Sequence, residues 1–382
     1  MHIATGIFTY NRSRHTEQVL TALRENTILP EKLFLFHDGL KDENDREEWK
    51  KVQNLLDSVD WCKKEIIVAK ENKGLAESIT SGIDYMLETF EAVIILEDDC
   101  VPNENYIRFM VECLERYKEN EEVFSISGYT YPIKYKDSIY DAYAVGRASS
   151  WGWGTWKDRW RKFEKDNNLV KKICEDEHQS RELAIWGRDL EKMLDYQVQW
   201  KIDSWAVYWA LKMIEQGGYC ITPNKSLIKN IGMDGSGVHC GNTDIYNTKL
   251  EDSKRNEFRL PEQICFSDDV KERFIEFYGG YMAMNGKCGT GIIVYGLGDF
   301  FRRKEKEINE SYYVVAFVDM NKEGYYEGKK IISMDELTCY KFEKIVIMLM
   351  DRDEAVRVKD KLHEEYGISE AAISLGLDTF EY

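Results

Sequence analysis

Val93-Ile94-Ile95-Leu96-Glu97-Asp98-Asp99-Cys100-Val101-Pro102 sets an unbroken apolar run directly against three carboxylates. Four apolar residues in a row predict a strand buried on both faces, as in the middle of a parallel sheet. The carboxylates then fall at its C-terminal end, where open α/β sheets hold their ligands. Adjacent carboxylates repel and raise one another's pKa, so the triplet makes most sense with a cation among them. On an extended backbone Glu97 and Asp99 point to one side and Asp98 to the other, which divides the labour between metal and ligand hydroxyl. A few hard oxygen ligands suit Mg2+ or Mn2+ shared with a substrate phosphate. The competing reading of the triplet alone is a solvated acidic turn closed by Pro102.

Upstream, strand and helix signals alternate. His2 to Tyr10 predicts a strand, broken at Asn11-Arg12 before a helix carrying Val19, Leu20 and Leu23. Lys32 to Phe36 predicts a second strand leading into His37-Asp38-Gly39, and a charged helix follows from about Glu43 to Asp57. Glu65 to Ala69 predicts a third strand, then Asn72-Lys73-Gly74 opens a helix with Ile79, Ile83 and Leu87 on one face. Such alternation implies parallel βα units in a sheet covered on both sides. The polar strand endings Thr9-Tyr10-Asn11-Arg12, Asp38, Lys73 and Glu97-Asp98-Asp99 therefore gather on one rim.

In that order these motifs resemble the inverting nucleotide-sugar glycosyltransferases of the GT-A fold, over roughly residues 1–245. Within them the likeness is to bacterial family 2 enzymes and the N-acetylglucosaminyltransferase I group, whose metal motif also reads Glu-Asp-Asp. The resemblance implies a GT-A, Rossmann-like mixed sheet and a nucleotide-sugar donor, a UDP-sugar before others. It puts Tyr10, Arg12 and Asp38 around the base, counts Thr9 among the donor-binding residues, and sets Lys73 near the diphosphate or sugar. Asp99 becomes the direct metal ligand, for Mn2+ or Mg2+, with Asp98 and Glu97 nearer the ribose and the transferred sugar. Lys73 stands where many relatives carry Arg.

Arg147-Ala148-Ser149-Ser150-Trp151-Gly152-Trp153-Gly154-Thr155-Trp156, continuing to Trp160, holds four of the ten tryptophans. Glycines between rings predict a loop that brings flat apolar faces to a ligand. Trp151 and Trp153 are expected to contact a saccharide, Trp156 and Trp160 to pack in the core. Asp203 precedes a helix starting near Trp205, the place of an ordinary N-cap. There an ionised carboxylate can accept a proton from an attacking hydroxyl, and the family's catalytic base sits at this helix, so Asp203 is the expected base. His239 follows a glycine-rich segment and, by the same resemblance, completes the metal shell or touches the diphosphate.

From about Lys287 a second unit begins, with 286–382 expected as a small Rossmann-like domain behind a catalytic domain of 1–285. Gly296-Leu297-Gly298 departs from the dinucleotide fingerprint at Phe301, where a third glycine belongs, although Asp319 sits where a ribose-binding acid would. An interaction or homo-oligomerisation role ranks above nucleotide binding there.

With 52 Lys and Arg against 69 Asp and Glu, the net charge of −17 disfavours nucleic acid as a partner. No apolar run approaches the roughly 20 residues of a bilayer crossing, leaving at most peripheral membrane contact. The start, Met1 to Gly6, lacks a basic-then-apolar leader, and nine cysteines without a C-x-x-C pair fit reduced thiols, so a cytoplasmic location is expected. The leading expectation is metal-dependent inverting transfer of a sugar to a glycan or glycoprotein hydroxyl. Its alternatives are a nucleotidyltransferase on a similar scaffold and an NAD-linked protein built on the C-terminal unit.

Overall fold

The computed structural model describes residues 1–133, 139–187, 189–233, 246–284, 291–327, 329–340, 342 and 344–380. The chain forms two compact units, Met1–Arg273 and Phe274–Tyr382.

In the first unit the strands are β1 (Ile3–Thr9), β2 (Lys32–His37), β3 (Lys64–Val68), β4 (Ala92–Glu97), β5 (Cys100–Pro102), β6 (Val123–Ser127), β7 (Ala142–Val145), β8 (Trp153–Trp156), β9 (Tyr219–Pro223) and β10 (Ile228–Asn230). Eight of them form one mixed sheet in the order β3-β2-β1-β4-β8-β6-β9-β7. The β3-β2-β1-β4 half is parallel, as the βα alternation requires, and β8 enters antiparallel between β4 and β6. Strand β4 lies in the interior of the sheet with Val93 to Leu96 buried, as its unbroken apolar run predicts. The helices between strands bury the expected stripes. Helix Ser13–Arg24 buries Val19, Leu20 and Leu23, and helix Leu75–Thr89 buries Ile79, Ile83 and Leu87.

Two expectations change. The Trp-Gly-Trp segment is not a loop throughout, because Trp153–Trp156 forms β8. Gly154 is required there for close packing: a Cβ would lie 2.8 Å from the Val93 carbonyl oxygen and 3.0 Å from Met110 Cε. The glycine that argued against a strand is thus what lets this strand pass between its neighbours. The acidic triplet is likewise not extended. Strand β4 stops at Glu97, Asp98 and Asp99 make a turn, and Cys100 starts β5, which pairs antiparallel with β10.

The second unit contains β11 (Gly291–Tyr295), β12 (Tyr313–Val318), β13 (Gly324–Tyr326), β14 (Lys329–Ile332), β15 (Lys344–Ile347) and β16 (Ile373–Leu375), ordered β13-β14-β12-β11-β15-β16. All neighbours are parallel except the β13–β14 edge pair. One face packs Phe300, Phe301 and Ile308 of helix Asp299–Ser311, and the other packs Ala355 and Leu362 of helix Arg352–Glu364. Phe301 is buried against Phe317 and Tyr326, so the bulk that breaks the fingerprint serves the core. Among the described residues no helix is long and apolar enough to cross a membrane.

Replacing Gly154 with Ala forces a methyl group against a backbone carbonyl inside the sheet and should destabilise the first unit by about 1–3 kcal/mol. Urea unfolding measures this, and an unchanged midpoint would contradict the close approach.

Candidate functional site

The carboxyl ends of β1, β2 and β4 are brought level by parallel registers that pair Phe8 with Glu97 and Thr9 with His37. Beyond them Arg12 leaves the N-cap of helix Ser13–Arg24 and donates from Nη2 to Asp98 Oδ1 and, at 2.9 Å, to Asp99 Oδ2. The cation that the triplet calls for is therefore supplied by the chain itself. Asp98 and Asp99 are only 4% and 7% exposed. Burial, reinforced by Asp99 and Asp98, pushes the Glu97 carboxyl up to about 8. Burial also raises Asp98, to about 6, against the opposing pull of Arg12. Burial alone would lower the Arg12 guanidinium, but Asp98 and Asp99 raise it above its ordinary value.

Asp99 is also enclosed from the far side. Ile231 N donates to its carbonyl oxygen at 2.9 Å, and Asn230 Nδ2 donates to Oδ1 at 3.4 Å. Gly232 lies so close that a Cβ there would sit 2.2 Å from Oδ2. Among the described residues no three His, Cys, Asp or Glu side chains converge on a common metal position. The donor chemistry of Asp98 and Asp99 nevertheless fits a divalent ion, since their oxygens already meet at one cationic nitrogen and carboxylates suit Mg2+ or Mn2+ when phosphate oxygens complete the shell.

Asp38 does something other than wait for a base. Its Oδ1 accepts from Gly39 N (2.8 Å) and Lys73 N (2.9 Å), and its Oδ2 from Asn72 Nδ2 (3.0 Å) and Gly74 N (2.9 Å). Those four bonds use the acceptor capacity of a carboxylate and tie the Asn72-Lys73-Gly74 loop to the end of β2. Lys73 itself is exposed, its Nζ 3.3 Å from Ser81 Oγ. Thr9 is buried, with Oγ1 donating to the Phe36 carbonyl, so its side chain belongs to the sheet and not to an open base pocket. Tyr10 OH donates to Asp45 and accepts from Lys41 N, fastening the chain after β2.

Trp151 is half-buried, edge-on to Tyr129 and Tyr246 with centroids 4.6 and 5.6 Å away. Trp153 is fully buried, which corrects the expectation of saccharide contact: its ring stacks on Trp205 at 4.9 Å and abuts Trp160 and Trp209. Trp156 and Trp160 are core residues, as expected. The N-cap of helix Trp205–Glu215 is Ser204, whereas Asp203 stands one residue earlier and exposed. Trp205 stacks on Trp153, which pairs with Ile95 of β4, so the start of this helix packs against the sheet beside Ile95. His239 lies outside the described residues.

Sequence reasoning passed over His37 and Trp49, which stack at 4.4 Å beneath the rim, with Trp49 Nε1 donating to the Asp38 carbonyl at 2.7 Å. His37 sits next to Asp38 and could have been flagged on that ground; Trp49 lies in a charged helix that carries no such signal. Burial holds the His37 imidazole below its ordinary pKa.

Residues 6–176 match the family described as Glycosyl transferase family 2. Residues 289–374 match the family described as C2185-like, N-terminal. No curated protein sequence matches the chain. Among solved structures, S. aureus TarS is 10% identical with a TM-score of 0.35, covering 60% of this chain and 36% of that one. S. aureus TarS 1-349 in complex with UDP-GlcNAc is 11% identical with a TM-score of 0.37, covering 75% and 74%. The mannosyltransferase PcManGT from Pyrobaculum calidifontis, in complex with GDP-Man and Mn2+, is 12% identical with a TM-score of 0.29, covering 49% and 52%. The chain thus spans less than two thirds of the first and third of these proteins.

The raised Glu97 carboxyl has a direct consequence for stability. The folded state keeps that proton up to about pH 8 whereas an ordinary carboxyl releases it near 4.5, so the folded state binds more protons between them and loses stability as pH rises through that window. Glu97→Gln removes the effect. Its stability relative to wild type, measured by urea unfolding without metal, should rise steadily between those two pH values; a flat difference would contradict the burial of this charge.

Proposed function

We propose that the first unit is a metal-dependent inverting glycosyltransferase that moves a sugar from a nucleoside diphosphate, UDP before others, to a hydroxyl of a glycan or glycoprotein. The observation that carries the reading is the meeting of the buried Asp98 and Asp99 carboxylates at one cationic nitrogen on the carboxyl rim of β4. The family match over 6–176 supports sugar transfer as the chemistry at that rim.

Asp99, with Asp98 beside it, is the residue that would hold Mn2+ or Mg2+, and His239 is proposed to join it. A divalent ion there supplies charge neutralisation of the diphosphate leaving group. Glu97 and Asp98 are assigned to the ribose and the transferred sugar. Tyr10 is assigned to the base side of the donor, whereas Arg12, expected there too, sits on the acidic turn and is assigned to the diphosphate. Asp38 is assigned a supporting part, presenting Lys73 to the diphosphate through the backbone bonds described above. Trp151 offers its partly open ring to a saccharide face, while Trp153 supports Trp205 from below. Asp203, exposed at the start of the helix that this stack anchors, accepts the proton of the acceptor hydroxyl as that oxygen attacks the anomeric carbon. One in-line displacement then inverts the anomeric centre and releases the nucleoside diphosphate.

No observation favours the NAD-linked alternative. Asp319 Oδ2 accepts from Leu297 N at 2.8 Å, so it holds the glycine turn, and Asp299 places a negative charge on the first turn of the helix where a phosphate would dock. The second unit is instead assigned an interaction role, in keeping with the exposed Met320 and Tyr325 beside and on its edge strand β13.

Asp203→Asn should lower transfer by about 100-fold or more while UDP-sugar binding stays within about twofold of wild type. Chromatographic detection of free UDP together with calorimetric donor binding checks both halves. Normal turnover in the variant removes the base assignment, and release of pyrophosphate in place of UDP would favour nucleotidyl transfer.

A further inference from the structure

We propose that Arg12 is an internal cation that occupies the acidic turn until a nucleoside diphosphate arrives, so that metal and nucleotide bind cooperatively. This rests on the glycosyltransferase reading of the site and adds a control built from one side chain.

A single nitrogen, Arg12 Nη2, reaches both Asp98 Oδ1 and Asp99 Oδ2. Asp99, the residue that would hold a divalent ion, is thus already engaged by a cation of the chain's own. A divalent ion coordinates carboxylate oxygen at about 2.0–2.2 Å and repels a guanidinium, so the two cations cannot share these oxygens. Cys100 Sγ lies 3.4 Å from Asp99 Oδ1, yet among the described residues no group of three His, Cys, Asp or Glu side chains is arranged to hold a metal ion. Alone, the protein therefore offers an entering ion two carboxylates already neutralised in part by Arg12.

A nucleoside diphosphate changes both sides of this balance. Its phosphate oxygens complete a hard-ion shell, and they give the guanidinium a planar, charge-assisted partner in exchange for the carboxylates. Arg12 is built for such a swing. Its backbone is held, since its carbonyl accepts from Thr16 N at 3.0 Å and Thr16 Oγ1 at 2.9 Å. Its side-chain hydrogen bonds among the described residues run only to Asp98 and Asp99. By linkage, the factor by which nucleotide tightens the metal equals the factor by which metal tightens the nucleotide.

The test is Mn2+ binding to the full chain, followed by electron paramagnetic resonance of the free ion, with and without UDP. It is run at mildly alkaline pH so that protons do not compete for the carboxylates. Wild type should bind Mn2+ weakly alone and about tenfold or more tightly with UDP. Arg12→Gln should bind Mn2+ alone about tenfold more tightly than wild type and show a smaller further gain from UDP than wild type does, whereas Arg12→Lys, which keeps the cation, should follow wild type. Arg12→Met carries the same expectation as Arg12→Gln should the latter fail to fold by circular dichroism. A folded neutral variant that binds Mn2+ alone no better than wild type overturns the proposal, as does a wild type whose Mn2+ affinity ignores UDP. If wild type binds Mn2+ neither alone nor with UDP, the metal-dependent reading beneath it falls as well; if it binds the Mn2+–UDP pair but neutral variants gain nothing, only the role of Arg12 falls.

Discussion

Like charges buried at the end of a central strand must be compensated, and the rest of the first unit is arranged around that requirement. Strand β4 delivers Glu97, Asp98 and Asp99 into a setting where two of them are almost wholly covered. Left alone, such carboxylates would take up protons. Arg12 opposes this at Asp98 by reaching across from the end of β1, which is possible because β1 and β4 are parallel neighbours in register. A buried pair of this kind contributes little net stability once desolvation is counted.

The elements that surround the turn are held in place by bonds within the chain. Asp38 converts a flexible Asn-Lys-Gly loop into a fixed edge by accepting from three of its residues and from its own neighbour. Trp153, stacked under Trp205, ties the start of helix Trp205–Glu215 to strand β8. Gly154 lets β8 run against β4, and Gly232 lets the chain after β10 close over Asp99. In each case a residue of simple chemistry settles where a residue of reactive chemistry stands.

Much of this was legible from pattern alone. The apolar run ahead of Glu97, the strands leading to Arg12 and Asp38, and the helical stripes of Val19-Leu20-Leu23 and Ile79-Ile83-Leu87 are local signals that packing did not overrule. The misreadings share one cause. Trp153 was expected against a saccharide and Thr9 among the donor-binding residues, yet both side chains face inward. Facing is decided by which neighbour lies across the strand. Asp203 was displaced by one residue from the N-cap, because Ser204 and Asp203 both carry capping chemistry and only the backbone distinguishes them.

By itself the sequence determined the parallel βα half, the interior position of β4 and the presence of an acidic rim, since hydrophobic period and strand-end chemistry are properties of consecutive residues. The tertiary structure alone decided that β8 inserts antiparallel beside β4, that Asp38 spends its oxygens on a loop, and that Arg12 is the cation of the acidic turn. Each of these joins residues tens of positions apart, and no local pattern records which distant partner will neutralise a charge or fill the space above a glycine.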